Sequence, residues 1–260
     1  MEEKTAGGVR ARVRAQMTAE IKAAARRHLA TDGANLSLRA IAREMGMASS
    51  ALYRYFASRD ELLTALIIDA YNEMGEVTER ADAAVVDRAD VRARWMAVAR
   101  ALRAWSLANP AEYALLYGTP VPGYAAPQDT TPPASRPVFV LGSILSGATL
   151  SGATLSGAPL SGAPLTGAGP IERADFRLSP ALRAEIGAVA AATAPGVDDA
   201  AMVRGLIGWT LIFGALSFEL FGRINNVIDE RDEWFDLQML AMLDYVGLPE
   251  SDLQSGIGAN

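Results

Sequence analysis

Few side chains in this chain are able to do covalent or metal chemistry: there is one histidine, His28, and no cysteine. A lone imidazole beside Arg26 and Arg27 supports neither a histidine-based catalytic triad nor a His/Cys zinc site, and no glycine-rich phosphate loop stands at diagnostic spacing. The acidic runs Asp198-Asp199 and 229–236 read as helix caps and solvated faces. No enzymatic activity is expected, and no cofactor. A different set of donors is concentrated in one stretch. Ser37, Arg39, Ser49, Ser50, Tyr53, Arg54 and Arg59 carry hydroxyl or guanidinium groups that can hydrogen-bond phosphate oxygens, and an outward guanidinium can also engage O6 and N7 of guanine in a major groove.

Short helices must position these donors. Val13, Met17, Ile21, Ala25 and Leu29 recur every four residues, the pattern of a first helix that Asp32-Gly33 can end. Ser37 is placed to cap a second helix that turns Leu38, Ile41, Ala42 and Met45 inward and stops at Gly46. A third begins at Ser49 or Ser50, buries Leu52 and Phe56 at i, i+4 spacing and leaves Ser50, Tyr53 and Arg54 outward. Ser58 and Glu61 then form a capping box for a fourth helix carrying Leu62, Leu63, Leu66, Ile67 and Ala70.

Charge divides the chain at the same place. Residues 1–66 hold 11 Lys and Arg against 7 Asp and Glu, the rest 13 against 23, within a net charge of −6. A basic module attracts phosphate, and an acidic remainder resists nonspecific adhesion to nucleic acid. The lack of cysteine suits a reducing cytoplasm. Residues 1–16 lack the apolar stretch of a signal peptide, and the most apolar run, 205–218, falls short of the ~20 residues of a membrane span. A cytoplasmic protein with no membrane partner is expected.

Beyond residue 87 the periodicity is helical again through Val91, Trp95, Val98, Leu102 and Trp105, with Asn109-Pro110 ending one helix and capping the next. The Pro- and Gly-rich stretch 118–137 reads as a loop at its middle, followed by a short apolar helix over 137–145. Residues 146–170 are five near-copies of a five-residue unit, SGATL, SGATL, SGAPL, SGAPL, TGAGP. Too few units are present to stack into a stable solenoid, so they read as a low-complexity insertion between helices. Ser179-Pro180 starts a further helix, and two long helices finish the chain. The first, from Asp198-Asp199 to about Phe221, is apolar on most sides; the second, about Arg231 to Val246, carries Trp234, Leu237, Leu240, Ala241 and Met242. One monomer would struggle to cover both, which points to a dimer interface.

The run from Leu36 to Leu63 closely resembles the DNA-binding module of the tetracycline-repressor (TetR) family, with Ile41-Ala42, Gly46, Leu52-Tyr53, Phe56 and Arg59-Asp60-Glu61-Leu62 at the family's spacing. Arg59 stands where Lys is commoner and Tyr55 where His is frequent, and both keep a phosphate donor. The C-terminal part resembles a subfamily with a tail domain named for a Trp-His-Gly-like motif, through Tyr117 to Pro127 and Gly208 to Gly222, with Phe213 where His is expected. The resemblance implies a homodimer whose two recognition helices enter successive major grooves of a pseudo-palindromic double-stranded operator, with a small effector altering their separation.

The fold expected is all-α, an N-terminal three-helix helix-turn-helix domain plus a larger C-terminal helical ligand-binding and dimerisation domain. Residues 1–13 form a flexible arm carrying Arg10 and Arg12, 14–71 the DNA-binding domain, 72–250 the effector-binding and dimerisation domain with the 146–170 insertion, and 251–260 a flexible tail. Candidate DNA contacts are Ser37, Arg39, Ser49, Ser50, Tyr53, Arg54, Tyr55 and Arg59. Trp95, Trp105, Tyr113, Tyr117, Trp209 and Phe213 are candidates to line an apolar effector cavity, the simpler reading of each being core packing. Dimerisation is expected through the last two helices and repression as the mode of regulation; the alternative is a non-enzymatic interaction protein acting through the repeat.

Overall fold

The computed structural model describes residues 2–150, 178–246 and 248, and the described residues form ten α-helices and one 3-10 turn, with no strand among them. The helices are α1 (Glu2–Asp32), α2 (Leu38–Glu44), α3 (Ser49–Leu52), α4 (Arg59–Ala84), α5 (Val91–Ala108), α6 (Pro110–Tyr117), α7 (Thr131–Leu150), α8 (Pro180–Thr193), α9 (Asp199–Leu220) and α10 (Arg231–Val246). The all-helical class expected from the periodicity is the observed one.

Local chemistry sets most of these boundaries. Ser37 Oγ accepts from the Ala40 N–H at 3.3 Å, and Asp198 Oδ1 from the Ala201 N–H at 2.8 Å, each satisfying a free donor of the first helical turn. Ahead of α4, Ser58 Oγ accepts from the Glu61 N–H at 3.1 Å as the Ser-x-x-Glu spacing predicts, while Glu61 Oε2 accepts from the Ala57 N–H at 2.6 Å, one residue ahead of the cap rather than from the cap's own N–H. Gly33 and Gly46 take φ of +60° and +64° at the ends of α1 and α2, a left-handed turn that a side chain would strain.

The chain folds into two compact units, Met1–Glu73 with Ala108–Ala134, and Met74–Leu107 with Ser135–Asn260. In the first, Ile21, Leu29, Leu38, Ile41, Leu52, Phe56, Leu62 and Leu66 form the core, and Ala111, Leu115, Val121 and Tyr124 close over it. The first unit thus takes in α6 and the loop after it, where the sequence places a continuous boundary near residue 71. Sequence pattern had no means to show this, because the covering residues are separated from the core by 34 residues of the other unit.

Three elements differ from expectation. Helix α1 starts at Glu2, through the segment 1–13 expected to be a flexible arm; its Ala and Arg residues favour helix and outweigh Gly7-Gly8. Helix α7 starts at Thr131 inside the stretch expected to be a loop, because Pro132 and Pro133 fall in its first turn, where no N–H is needed, and only Pro137 interrupts the ladder. The same helix runs through the first repeat copy to Leu150; the copies from 151 onward and the tail 251–260 lie outside the described residues. Helix α9, at 22 residues, is by length and composition apolar enough to cross a membrane, contrary to the reading of 205–218 alone, since Ala200 to Val203 extend the apolar run.

The second unit buries Trp95, Val98 and Leu102 of α5, Ile212 and Leu216 of α9, and Phe235, Met239 and Met242 of α10. Gly208 permits that packing: a Cβ there would meet Val246 Cγ2 at 3.1 Å and Trp95 Cζ2 at 3.4 Å. Ion pairs tie the helices. Arg103 Nη2 lies 2.8 Å from Glu219 Oε1, both largely buried, and Arg94, 5% exposed, holds Asp82 Oδ1 at 2.8 Å.

Candidate nucleic-acid interface

The first unit presents its donors on and around α3. This helix makes one regular turn and then tightens, Tyr55 N–H donating to the Leu52 carbonyl at 2.8 Å, so Leu52 and Phe56 both turn inward as expected. Ser50, Tyr53 and Arg54 are exposed, with 44% of Tyr53 open to solvent. The Arg54 guanidinium has no partner among the described residues. Ser37 and Arg39 are also exposed at the start of α2, Ser37 acting as its cap and Arg39 unengaged. Ser49 is half-buried.

Besides the capping Ser37, two of the eight candidates are held in place by the protein itself. Arg59 Nη2 donates to the Ala34 carbonyl at 2.6 Å, tying the start of α4 to the α1–α2 turn. Tyr55 is half-buried against the core, with the Arg14 guanidinium 5.2 Å from its ring centre. Arg14 also donates to the Arg54 carbonyl at 3.2 Å. A guanidinium on an aromatic face beside a carbonyl joins α1 to the end of α3.

His28 is half-buried and bridges α1 and α2. Its Nε2 lies 2.7 Å from Glu44 Oε2, and its Nδ1 3.3 Å from Asp32 Oδ2. Glu44 also takes Arg27 at 2.6 Å, and that hydrogen bond, together with the Arg27 charge, holds its carboxyl below the usual range. The i, i+4 spacing of His28 and Asp32 is legible in sequence; the partner on α2 is not.

The six effector candidates are divided between the two units. Tyr113 and Tyr117 belong to the first unit, where their rings lie 5.1 Å apart and Tyr117 meets Tyr71 edge-on at 6.3 Å. Burial pushes the Tyr71 and Tyr117 hydroxyls up, so both stay neutral. Trp95, Trp105, Trp209 and Phe213 belong to the second unit, with Trp209 and Phe213 edge-on at 5.7 Å. Trp95 is fully buried, yet its indole N–H meets no acceptor among the described residues. No group of three or more metal-ligating side chains occurs among the described residues.

Two family models match successive parts of the chain. Residues 21–66 match the model of "Bacterial regulatory proteins, tetR family", and 95–242 match "Tetracyclin repressor-like, C-terminal domain". HTH-type transcriptional regulators of Mycobacterium tuberculosis and Mycobacterium bovis are 40% identical over 248 residues, covering 89% of this chain and 92% of theirs. The crystal structure of SCO4313, described as a regulatory protein, is 33% identical with a TM-score of 0.66, covering 89% of this chain and 97% of that one. A tetR-family regulatory protein from Rhodococcus RHA1 shares the fold at a TM-score of 0.58 and 15% identity, over 90% of this chain and 98% of its own.

Proposed function

This chain belongs to the tetracycline-repressor family of bacterial regulatory proteins, a DNA-binding and non-enzymatic family, and from that premise we propose that it is a homodimeric repressor released from a pseudo-palindromic operator by a small apolar effector. The observation that carries the DNA side of this reading is the outward placement of Ser50 on the short α3 and of Tyr53 and Arg54 just after it, with Arg54 unengaged. A guanidinium in that position can make the bidentate contact to guanine that specifies a base, while Tyr53, Ser37 and Arg39 donate to flanking phosphates. The work is done in the cytoplasm, where the operator is.

Dimerisation through α9 and α10 is supported by the apolar side chains these helices leave uncovered, Leu211, Phe218, Leu237, Leu240 and Tyr245, each more than 40% exposed. An effector site in the second unit is supported by Trp95, because a buried N–H without an acceptor costs about 1–3 kcal/mol and a ligand oxygen would satisfy it. The stretches 117–127 and 208–222 support placing the C-terminal domain in the Trp-His-Gly-type group, with Phe213 replacing that group's histidine.

The test is selection of binding sites from a random duplex library with the full chain, followed by fluorescence anisotropy on the selected duplex. Wild type is expected to bind it saturably in the presence of unlabelled random competitor, and the Tyr53→Ala, Arg54→Ala double variant to lose that preference. A wild type that enriches no sequence would overturn the reading.

A further inference from the structure

Two turns ahead of the core, the face of α1 that buries Ile21 and half-buries Met17 changes character and carries Arg10, Val13 and Arg14 alongside the end of α3. With Met47, Arg54 and Tyr55 these residues border an open cleft of about 530 Å³, whose lining holds three guanidinium groups and no carboxylate. Arg14 is already committed, to the Arg54 carbonyl at 3.2 Å and the Tyr55 ring at 5.2 Å. Arg10 and Arg54 have no partner among the described residues, and Arg10 is exposed. Like charges gathered without a counter-charge repel one another, and an anion in the cleft removes that cost. The cleft is open, so an extended polyanion can pass through it, and it is continuous with Arg54.

Resting on the DNA-binding reading above, we infer that the cleft between α1 and α3 seats a phosphate of the DNA backbone beside the groove that α3 enters. Arg10 is its donor, and Arg14 is the positioning residue that holds the extended α1 against α3. The contact is to backbone alone, so it strengthens binding to every sequence equally.

The test uses the full chain and the selected duplex, with Kd measured from about 50 to 200 mM salt for wild type, Arg10→Ala, Arg10→Lys, Arg14→Ala and the Arg10→Ala, Arg14→Ala double variant. Each lost phosphate contact lowers the slope of log affinity against log salt by about 0.9 and a homodimer loses two, so the ratio of wild-type to Arg10→Ala affinity should shrink about twelvefold across that range. The same change is expected on a random duplex, and Arg10→Lys should restore the slope. In an Arg14→Ala background, Arg10→Ala should change the slope no further. Because Arg10 is exposed and unpaired, its variants should melt with wild type, which separates a lost contact from a lost fold. Specific binding by wild type with an unchanged slope in Arg10→Ala overturns the inference and leaves the DNA reading intact. A full Arg10 effect in the Arg14→Ala background removes the positioning role. Absence of specific binding by wild type overturns both readings.

Discussion

Arg39 and Arg59 sit in one motif with the same guanidinium, yet they stand in opposite situations. Arg39 is exposed and unengaged; Arg59 is partly covered and donates to the Ala34 carbonyl at 2.6 Å. Arg39→Ala should therefore lower the salt slope of DNA binding by about two, one for each protomer of the dimer, with the melting temperature unchanged. Arg59→Ala should cost on the order of 1–2 kcal/mol of stability by removing a charged donor from a partly buried carbonyl, read as a lower urea midpoint, with the salt slope kept. A slope change in Arg59→Ala alone would reverse the two assignments. The motif spacing makes both residues legible as candidates. It does not separate them, because the partner of Arg59 lies 25 residues away across a turn. Tyr55 has the same history: its place in the motif suggests a phosphate donor, while the structure lays Arg14 over its ring.

At the scale of elements, what sequence reveals is what the chain fixes locally. Ser37, Ser58 with Glu61, Ser179 and Asp198 all cap the helices their spacing predicts, since a cap involves only four consecutive residues. Pro132 and Pro133 mislead for the converse reason: proline marks a loop by composition, but whether it falls in a first turn depends on where the helix is packed. Pairings between helices are not legible at all, and one of them predicts an acid response. Asp82 of α4 holds Arg94 of α5 and also pairs with Arg88. Burial pushes the Asp82 carboxyl up, but hydrogen bonds and charge from the two arginines outweigh it and leave it below the ordinary value. A carboxyl lowered by folding stabilises the fold above its unfolded pKa of about 4, and this stabilisation is lost as pH falls through the lower folded value. Asp82→Asn leaves Arg94 buried without its counter-charge, and should destabilise the protein by roughly 3–5 kcal/mol near pH 7. The gap between wild-type and variant urea midpoints should narrow below about pH 4; a gap that stays constant would mean the pair does not titrate with folding.

For the whole molecule, the exposed apolar faces of α9 and α10 are the proposed dimer interface. A Phe218→Glu, Leu237→Glu double variant should sediment as a monomer and bind the selected duplex far more weakly than wild type, because one half-site contact replaces two. If wild type already sediments as a monomer, the variant should change nothing. Helices α9 and α10 announce this by composition; the division of the molecule into units does not announce itself. Tyr113 and Tyr117 look in sequence like companions of Trp209 and Phe213, and the structure assigns the two pairs to different units. That division has a consequence for synthesis on the ribosome. Leu115, Val121 and Tyr124 are part of the cover on the helix-turn-helix core, so the nascent reading head remains bare on one side after residue 73 has emerged. It waits for residues out to about 134, by which time the first helices of the other unit are already outside the exit tunnel. The regulator therefore finishes its first unit only after it has begun its second, and the DNA-binding module is not a contiguous cassette to be cut from this gene and joined to another.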